Sequence, residues 1–355
     1  MTWAPLLLAD PSPSLRLLVL RDLLNRSEDD EEVRELKRLQ EEDPLIRKFV
    51  ALQNPDGSWR GGEGGGAILG NLRLTAQVLM ALGYMGLGRE HPAVKRGEEF
   101  IFAHQQEDGS WPLVSQGAVL DGANLSTIKQ ANLSDIKYHM IPLQTALPLL
   151  GLAWAGYATD PRAEQAYDWL LQEQLAQGGW PSGRHREKYI FAAGYRRLAH
   201  SKFGCRTNTT AAVSALALHP RRRASQAARR GLDLLLAHEH RQAHTLGFEV
   251  ARIIGAERPH GGFTYFKRYD VAQMLDLSWR IGASLEDRRV ADSVKFVKEL
   301  QGPYGLWTYQ RHPEISRWVT FDLLRSLSRL DEETDWLSME PRTPFQPYPK
   351  KPRRF

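Results

Sequence analysis

Two aspartates stand where a carboxylate could act as an acid. Asp270 opens and Asp276 interrupts the apolar run Val271 to Ile281. Apolar surroundings raise a carboxyl pKa until the group can hand over a proton near neutrality. Arg73, Arg268 and Arg317 lie beside the starts of apolar runs. There, guanidinium groups and free helix N–H groups together suit an anion such as a diphosphate. Tyr138, Tyr265, Tyr269 and Trp318 offer ring faces that attract a cation. A plainer reading stands beside each: Asp270 as a helix cap, the aromatics as packing. No G-x-S-x-G, H-E-x-x-H or C-x-x-C occurs, and the run Gly61 to Gly66 lacks the Gly-Lys-Ser/Thr ending of a phosphate loop.

The elements that must carry these residues show themselves as repeats. Gln53-Asn54-Pro55-Asp56-Gly57-Ser58-Trp59 returns as Gln105-Gln106-Glu107-Asp108-Gly109-Ser110-Trp111. Looser copies end at Gly178-Gly179-Trp180 and Gly305-Leu306-Trp307, and Gly261-Gly262-Phe263 is a degenerate one. The first two Trp are 52 residues apart, a period that marks a repeated supersecondary unit. Before each Gln runs an amphipathic stretch, such as Val94 to His104, Ala163 to Leu171 and Val290 to Leu300. After each Trp comes a run apolar on nearly all sides: Leu72 to Leu82, Leu143 to Ala153, Thr209 to Leu218, Val271 to Ile281 and Trp318 to Leu327. The first kind predicts an outer helix and the second a buried one. Strand signals are scarce.

The expected fold is therefore all-α: an α/α toroid, a double ring of about five to six helix pairs, with inner helices around a central cavity. Gln is expected to bond exposed backbone at the turn, Gly to permit the turn and Trp to pack between units. Residues 1–44 read as an N-terminal helical extension, 45–330 as the toroid and 331–355 as a C-terminal tail.

With its Q-x(2–5)-G-x-W segments, the chain resembles the terpenoid cyclase and protein prenyltransferase superfamily over about residues 45 to 330. The resemblance implies an isoprenoid or other long apolar ligand in the central cavity, with cyclisation or transfer as the reaction. The D-x-D-D acid motif of class II cyclases is absent. The strings Asp29-Asp30-Glu31-Glu32 and Asp331-Glu332-Glu333-Thr334-Asp335 read as solvated surface. Prenyltransferase β subunits hold zinc with an Asp, a Cys and a His. By resemblance, Cys205, His139 and Asp270 are the candidate zinc ligands, set near the starts of successive inner helices that meet at one mouth. Their spacing is not that of the family motif, and a buried apolar Cys, a hydrogen-bonded His and a capping Asp are the alternatives.

Composition sets the outer bounds. Apolar residues at 42%, charged ones at 25% and a net charge of +5 fit a globular chain with no single-sign field. One cysteine, no basic region before Leu6-Leu7-Leu8 and no membrane-length apolar run predict a cytoplasmic protein, with peripheral membrane contact through its basic clusters as an option. Arg221-Arg222-Arg223, Arg229-Arg230 and Lys350 to Arg354 are the feature on which nucleic-acid binding would rest, and it ranks last. The competing class is a non-catalytic toroid that binds a protein or peptide partner, which absent catalytic motifs would suit.

Overall fold

The computed structural model describes residues 2–60, 67–111, 142–185, 188–190, 196–257, 270–338 and 342–347. Three short helices come first: α1 (Ala4–Leu8), α2 (Pro13–Leu18), which runs on as a π-helical turn Val19–Leu23, and α3 (Glu31–Leu39). Outer and inner helices then alternate. They are α4 (Pro44–Ala51) with α5 (Ala67–Tyr84), α6 (Pro92–Phe102) with α7 (Pro142–Trp154), and α8 (Pro161–Gln172) with α9 (Arg206–Leu218). Next comes α10 (Gln226–Leu236), a six-residue helix α11 (Phe248–Ile253), and α12 (Val271–Ile281). The last pair is α13 (Arg288–Glu299) with α14 (Ser316–Leu327). One short antiparallel hairpin, β1 (Gly183–His185) with β2 (Lys188–Ile190), is the sheet among the described residues.

Caps explain where the outer helices start. Asp43, His91, Asp160, Ser225 and Asp287 each accept a backbone N–H from the first turn of the helix that follows. Pro44, Pro92 and Pro161 occupy the first helical position, where a missing N–H does no harm. The inner helices are mostly buried, with no exposed residue among those described. In α9 the residues from Arg206 to Ala217 are all buried, and the hydroxyls of Thr210 and Ser214 are satisfied by the carbonyls of Arg206 and Thr210 at 2.8 and 2.7 Å.

Four turns are held by one set of bonds. The Gln53, Gln105, Gln174 and Gln301 amides donate to the carbonyls of Gly57, Gly109, Gly178 and Gly305 at 2.8–3.0 Å. The first three also donate to Ala93, Arg162 and Ala227, tying each turn to the next outer helix. The indoles of Trp59, Trp111, Trp180 and Trp307 donate to carbonyls ten residues back, at 2.7–2.8 Å. Their backbone N–H groups donate to Thr75, Thr145, Thr209 and Thr320, one on each of α5, α7, α9 and α14. Gly57 needs to be glycine twice over: its φ is +84°, and a Cβ there would lie 2.1 Å from the Arg96 carbonyl oxygen. Thr209→Val keeps the shape and removes the acceptor, so the buried Trp180 N–H loses its partner. The expected loss is about 1–3 kcal/mol, read as a lower urea midpoint.

The inner helices pack in succession, α5 on α7, α7 on α9, α9 on α12 and α12 on α14. The two ends of this series meet: Tyr84 closes α5, and its hydroxyl donates to Asp322 of α14 at 3.2 Å. Helix α11 is wedged against both α5 and α14. No helix among the described residues is long and apolar enough to cross a membrane.

After α14, Trp336 is buried with its indole on Asp287. Asp233 accepts from the N–H and hydroxyl of Thr343, and Gln346 N–H donates to the Ala237 carbonyl at 2.7 Å. Of the basic clusters, Arg221 and Arg222 pair with Glu164, Arg222 also with Asp168, and Arg229 with Asp335, while Lys350 to Arg354 lie outside the described residues.

Candidate functional site

All five inner helices and α11 border one small cavity of about 40 Å³. Met80 and Tyr84 come from α5, Leu150 and Trp154 from α7, Ser214 and Leu218 from α9, and Val250 and Ile253 from α11. The apolar runs deliver these side chains because a helix buried on all sides must turn one face to the centre.

Charge is concentrated on one side of this centre. Asp276 accepts from Arg280 Nε with both oxygens, at 2.9 and 2.8 Å, and from the Trp279 indole at 3.2 Å. Arg325 Nη2 donates to Asp322 Oδ1 at 2.6 Å and lies 3.6 Å from Asp276 Oδ1. Its guanidinium also rests 5.6 Å from the Tyr84 ring, and that of Arg280 rests 5.2 Å from the Trp154 ring. Four charged groups on two helices thus form a single buried network.

The two carboxyls of the network differ. Burial raises the pKa of Asp322 to about 6, with Arg325 pulling it down and the charge of Asp276 adding to the rise. Burial also works on Asp276, but Arg280 and Arg325 outweigh it and hold that carboxyl below its usual range. Burial and the Asp322 charge push the Tyr84 hydroxyl well above its ordinary range. The bonds that Asp322 accepts from Tyr84 and Arg325 both fall on Oδ1. Such a group keeps a protonated fraction well above that of an ordinary carboxyl as pH approaches neutrality, in a site walled by Tyr84 and Trp154.

The residues anticipated from sequence are placed as follows. Asp276 lines the cavity, where Arg280 and Arg325 hold its carboxyl below the usual range. Asp270 is fully buried and lines the cavity; burial lifts its pKa to about 7 against the pull of backbone N–H donors. Its carboxylate caps α12 through Ala272 N–H at 3.0 Å and also accepts from Gly247 and Glu249 at 3.2 and 3.1 Å. One aspartate therefore fastens the starts of α11 and α12 together. Cys205 is fully buried at the start of α9, and burial pushes its thiol pKa up. Among the described residues no group of three or more His, Cys, Asp or Glu is placed to hold a metal ion. His139, Tyr138, Tyr265, Arg268 and Tyr269 lie outside the described residues. Arg317 is drawn to Asp10 at 3.3 Å rather than standing free for a clamp, while Arg73 is half-buried with its pKa lowered by burial. Trp318 is buried and packs on Tyr84 with ring centres 5.9 Å apart, behind the cavity wall.

Sequence reading missed Asp322, Arg325, Arg280 and Tyr84. A signal was present. Asp276 with Arg280 and Asp322 with Arg325 are opposite charges three or four residues apart inside runs otherwise too apolar to meet water.

Comparison with known proteins adds the following. Residues 37–205 match the family profile of the squalene-hopene cyclase C-terminal domain. The squalene–hopene cyclase of Zymomonas mobilis is 28% identical over 165 residues, which covers 45% of this chain and 22% of that protein. The squalene-hopene cyclase of Schizosaccharomyces japonicus is 29% identical over 168 residues, covering 35% of this chain and 26% of that protein. The chain thus spans about a quarter or less of the length of these relatives. Solved structures similar to it include a protein from Actinoplanes, with TM-score 0.40 and 17% identity over 90% of each chain. The type II terpene cyclase MstE from Scytonema has TM-score 0.32 and 16% identity, covering 80% of this chain and 95% of that one. The matched segment ends at Cys205, ahead of Asp276, Arg280, Asp322 and Arg325.

Proposed function

We propose, from the match of residues 37–205 to the squalene-hopene cyclase C-terminal domain profile, that the centre of this chain takes an isoprenoid or other long apolar ligand and that Asp322 protonates it. The observation that carries this reading is a buried carboxyl with a pKa near 6, facing a cavity to which every inner helix contributes. The step is an isomerisation. The proton on Asp322 adds to one carbon of a C=C bond, leaving the cation on the more substituted carbon. A second double bond closes on that cation, and the new cation then loses a proton to solvent or to the Asp322 carboxylate. Atoms balance, so product and substrate have equal mass. The ring faces of Tyr84 and Trp154 favour the intermediate cation.

One observation favours the alternative, a toroid that binds a protein or peptide without chemistry. The cavity is about 40 Å³, whereas ligand pockets run from about 300 to 1,000 Å³. The two readings separate in one experiment. The protein is incubated with farnesol, geranylgeraniol and squalene, and extracts are examined for cyclised isomers by gas chromatography with mass detection. The proposal expects a product of unchanged mass and altered retention, absent from boiled protein. No isomer and no bound lipid with any of the three would sink it in favour of the binding toroid.

A further inference from the structure

Helix α11 is the shortest of the helices that border the cavity, and Phe248 to Arg252 are all buried. It is six residues long, too short to be stable by itself, since isolated helices below about 12 residues are marginal. Gly247 and Gly255 flank it with φ of +78° and +81°, conformations that glycine adopts and leaves without steric penalty. It brings an ion pair into the interior: Arg252 Nε lies 2.7 Å from Glu249 Oε2, with side-chain exposures of 2% and 4%. Burying two charges loses their hydration, and apolar groups of equal volume in place of a buried ion pair are often as stable or better. Glu249 Oε1 has no hydrogen-bond partner among the described residues.

The surroundings keep bonding capacity in reserve. Gln273 Oε1 and Arg325 Nε are buried, line the cavity and lack a partner among the described residues. Asp270 holds the start of α11 through two backbone N–H groups, Gly247 and Glu249, and any other donor could replace them. At the far end, Glu257 accepts from Tyr309 Oη at 2.8 Å and from Arg311 at 2.6 Å. A helix of six residues is about 9 Å long and about 10 Å across, so its departure would free on the order of 700 Å³. That falls within the range of real ligand sites.

We infer that α11 stands in for the ligand: the ligand site is the space of Phe248–Ile253, and its occupant is a long apolar molecule with a hydroxyl head. The inference rests on the reading of the centre as an apolar-ligand site. A hydroxyl donates to Asp270 or Gln273 Oε1 and accepts from Arg325 Nε, matching the unfilled bonds in both directions. A diphosphate is disfavoured, because Asp270, Asp276 and Asp322 line the cavity and the arginines among the lining residues, Arg280 and Arg325, already hold carboxylates.

The test is hydrogen–deuterium exchange of the full chain with and without farnesol or farnesyl diphosphate, in wild type and Tyr309→Phe. Ligand binding normally slows exchange. Here farnesol is expected to speed it in residues 247–257 while slowing it in α5 and α14. Tyr309→Phe loosens the anchor on Glu257 away from the cavity, so it is expected to bind farnesol about tenfold more tightly by destabilising the docked helix. Farnesol bound with 247–257 still protected, and with equal affinity in both proteins, would overturn the inference and leave the apolar-ligand reading standing. Tighter binding of the diphosphate than of the alcohol overturns the assigned head group. No binding of farnesol by either protein removes the apolar-ligand reading and this inference together.

Discussion

Arg325→Ala is expected to lower folding stability by about 3–5 kcal/mol, the loss typical of breaking a buried ion pair. Among the described residues Arg325 is the cation that joins Asp322 and Asp276, at 2.6 Å and 3.6 Å. Its removal leaves Asp322 with the Tyr84 hydroxyl alone and Asp276 with Arg280, in a space where an unpaired charge is expensive. Native domains have about 5–15 kcal/mol in total, so the variant would sit close to unfolding. The pH dependence has a definite sign. Without Arg325 the folded-state pKa of Asp322 rises further above its unfolded value. The folded protein then binds more protons than the unfolded one between the two pKa values, and stability falls as pH rises through that window. Urea midpoints at pH 5 and pH 8 therefore check it: the gap between wild type and Arg325→Ala is expected to be wider at pH 8. Equal midpoints at both pH values would mean that the network does not hold the ring ends together.

The helices of this fold were legible because burial imposes a pattern. Val271 to Ile281 reads as a buried run and is a helix with the same ends; Leu143 to Ala153 lies within Pro142–Trp154, and Thr209 to Leu218 within Arg206–Leu218. The turns were legible because one Gln amide, one positive-φ Gly and one indole must meet the same backbone groups each time, which fixes their spacing. Helix α11 left no such trace. Six residues with Glu249 and Arg252 among Phe248, Val250 and Ile253 span less than two turns, too few for a period to show. A buried ion pair in so short a piece also resembles a solvated loop.

The site was less legible, for a geometric reason. Sequence places chemistry at the starts of the inner helices, where caps and arginines collect, and Asp270 does stand there. The charge network gathers instead where α5 and α7 end, at Tyr84 and Trp154, and in the later half of α12, at Asp276 and Arg280. Which helix end meets which depends on how α14 meets α5, and nothing in either segment encodes that contact locally. The direction of a pKa shift was beyond reach for the same reason. Asp276 and Asp322 each sit in an apolar run, and only the positions of Arg280 and Arg325 make one a fixed anion and the other an acid.

That division sets the second large effect. Asp322→Asn keeps the side chain's size and its bond to Tyr84 but has no acidic proton, and any isomerisation by the protein is expected to fall by about 10²–10⁴-fold. Asp276→Asn frees Arg280 and should act first on stability, so the two substitutions separate proton supply from structure. The wild-type rate should follow the protonated fraction of Asp322. With a pKa of about 6, the rate is level below that pH and drops about tenfold for each further unit, so pH 8 runs near a hundredth of the plateau. Rates of isomer formation from pH 4.5 to 8.5, beside urea midpoints at each pH, distinguish titration of the acid from loss of fold. A rate that rises through pH 6 would require an ionised base, and Asp322 would then be the wrong group.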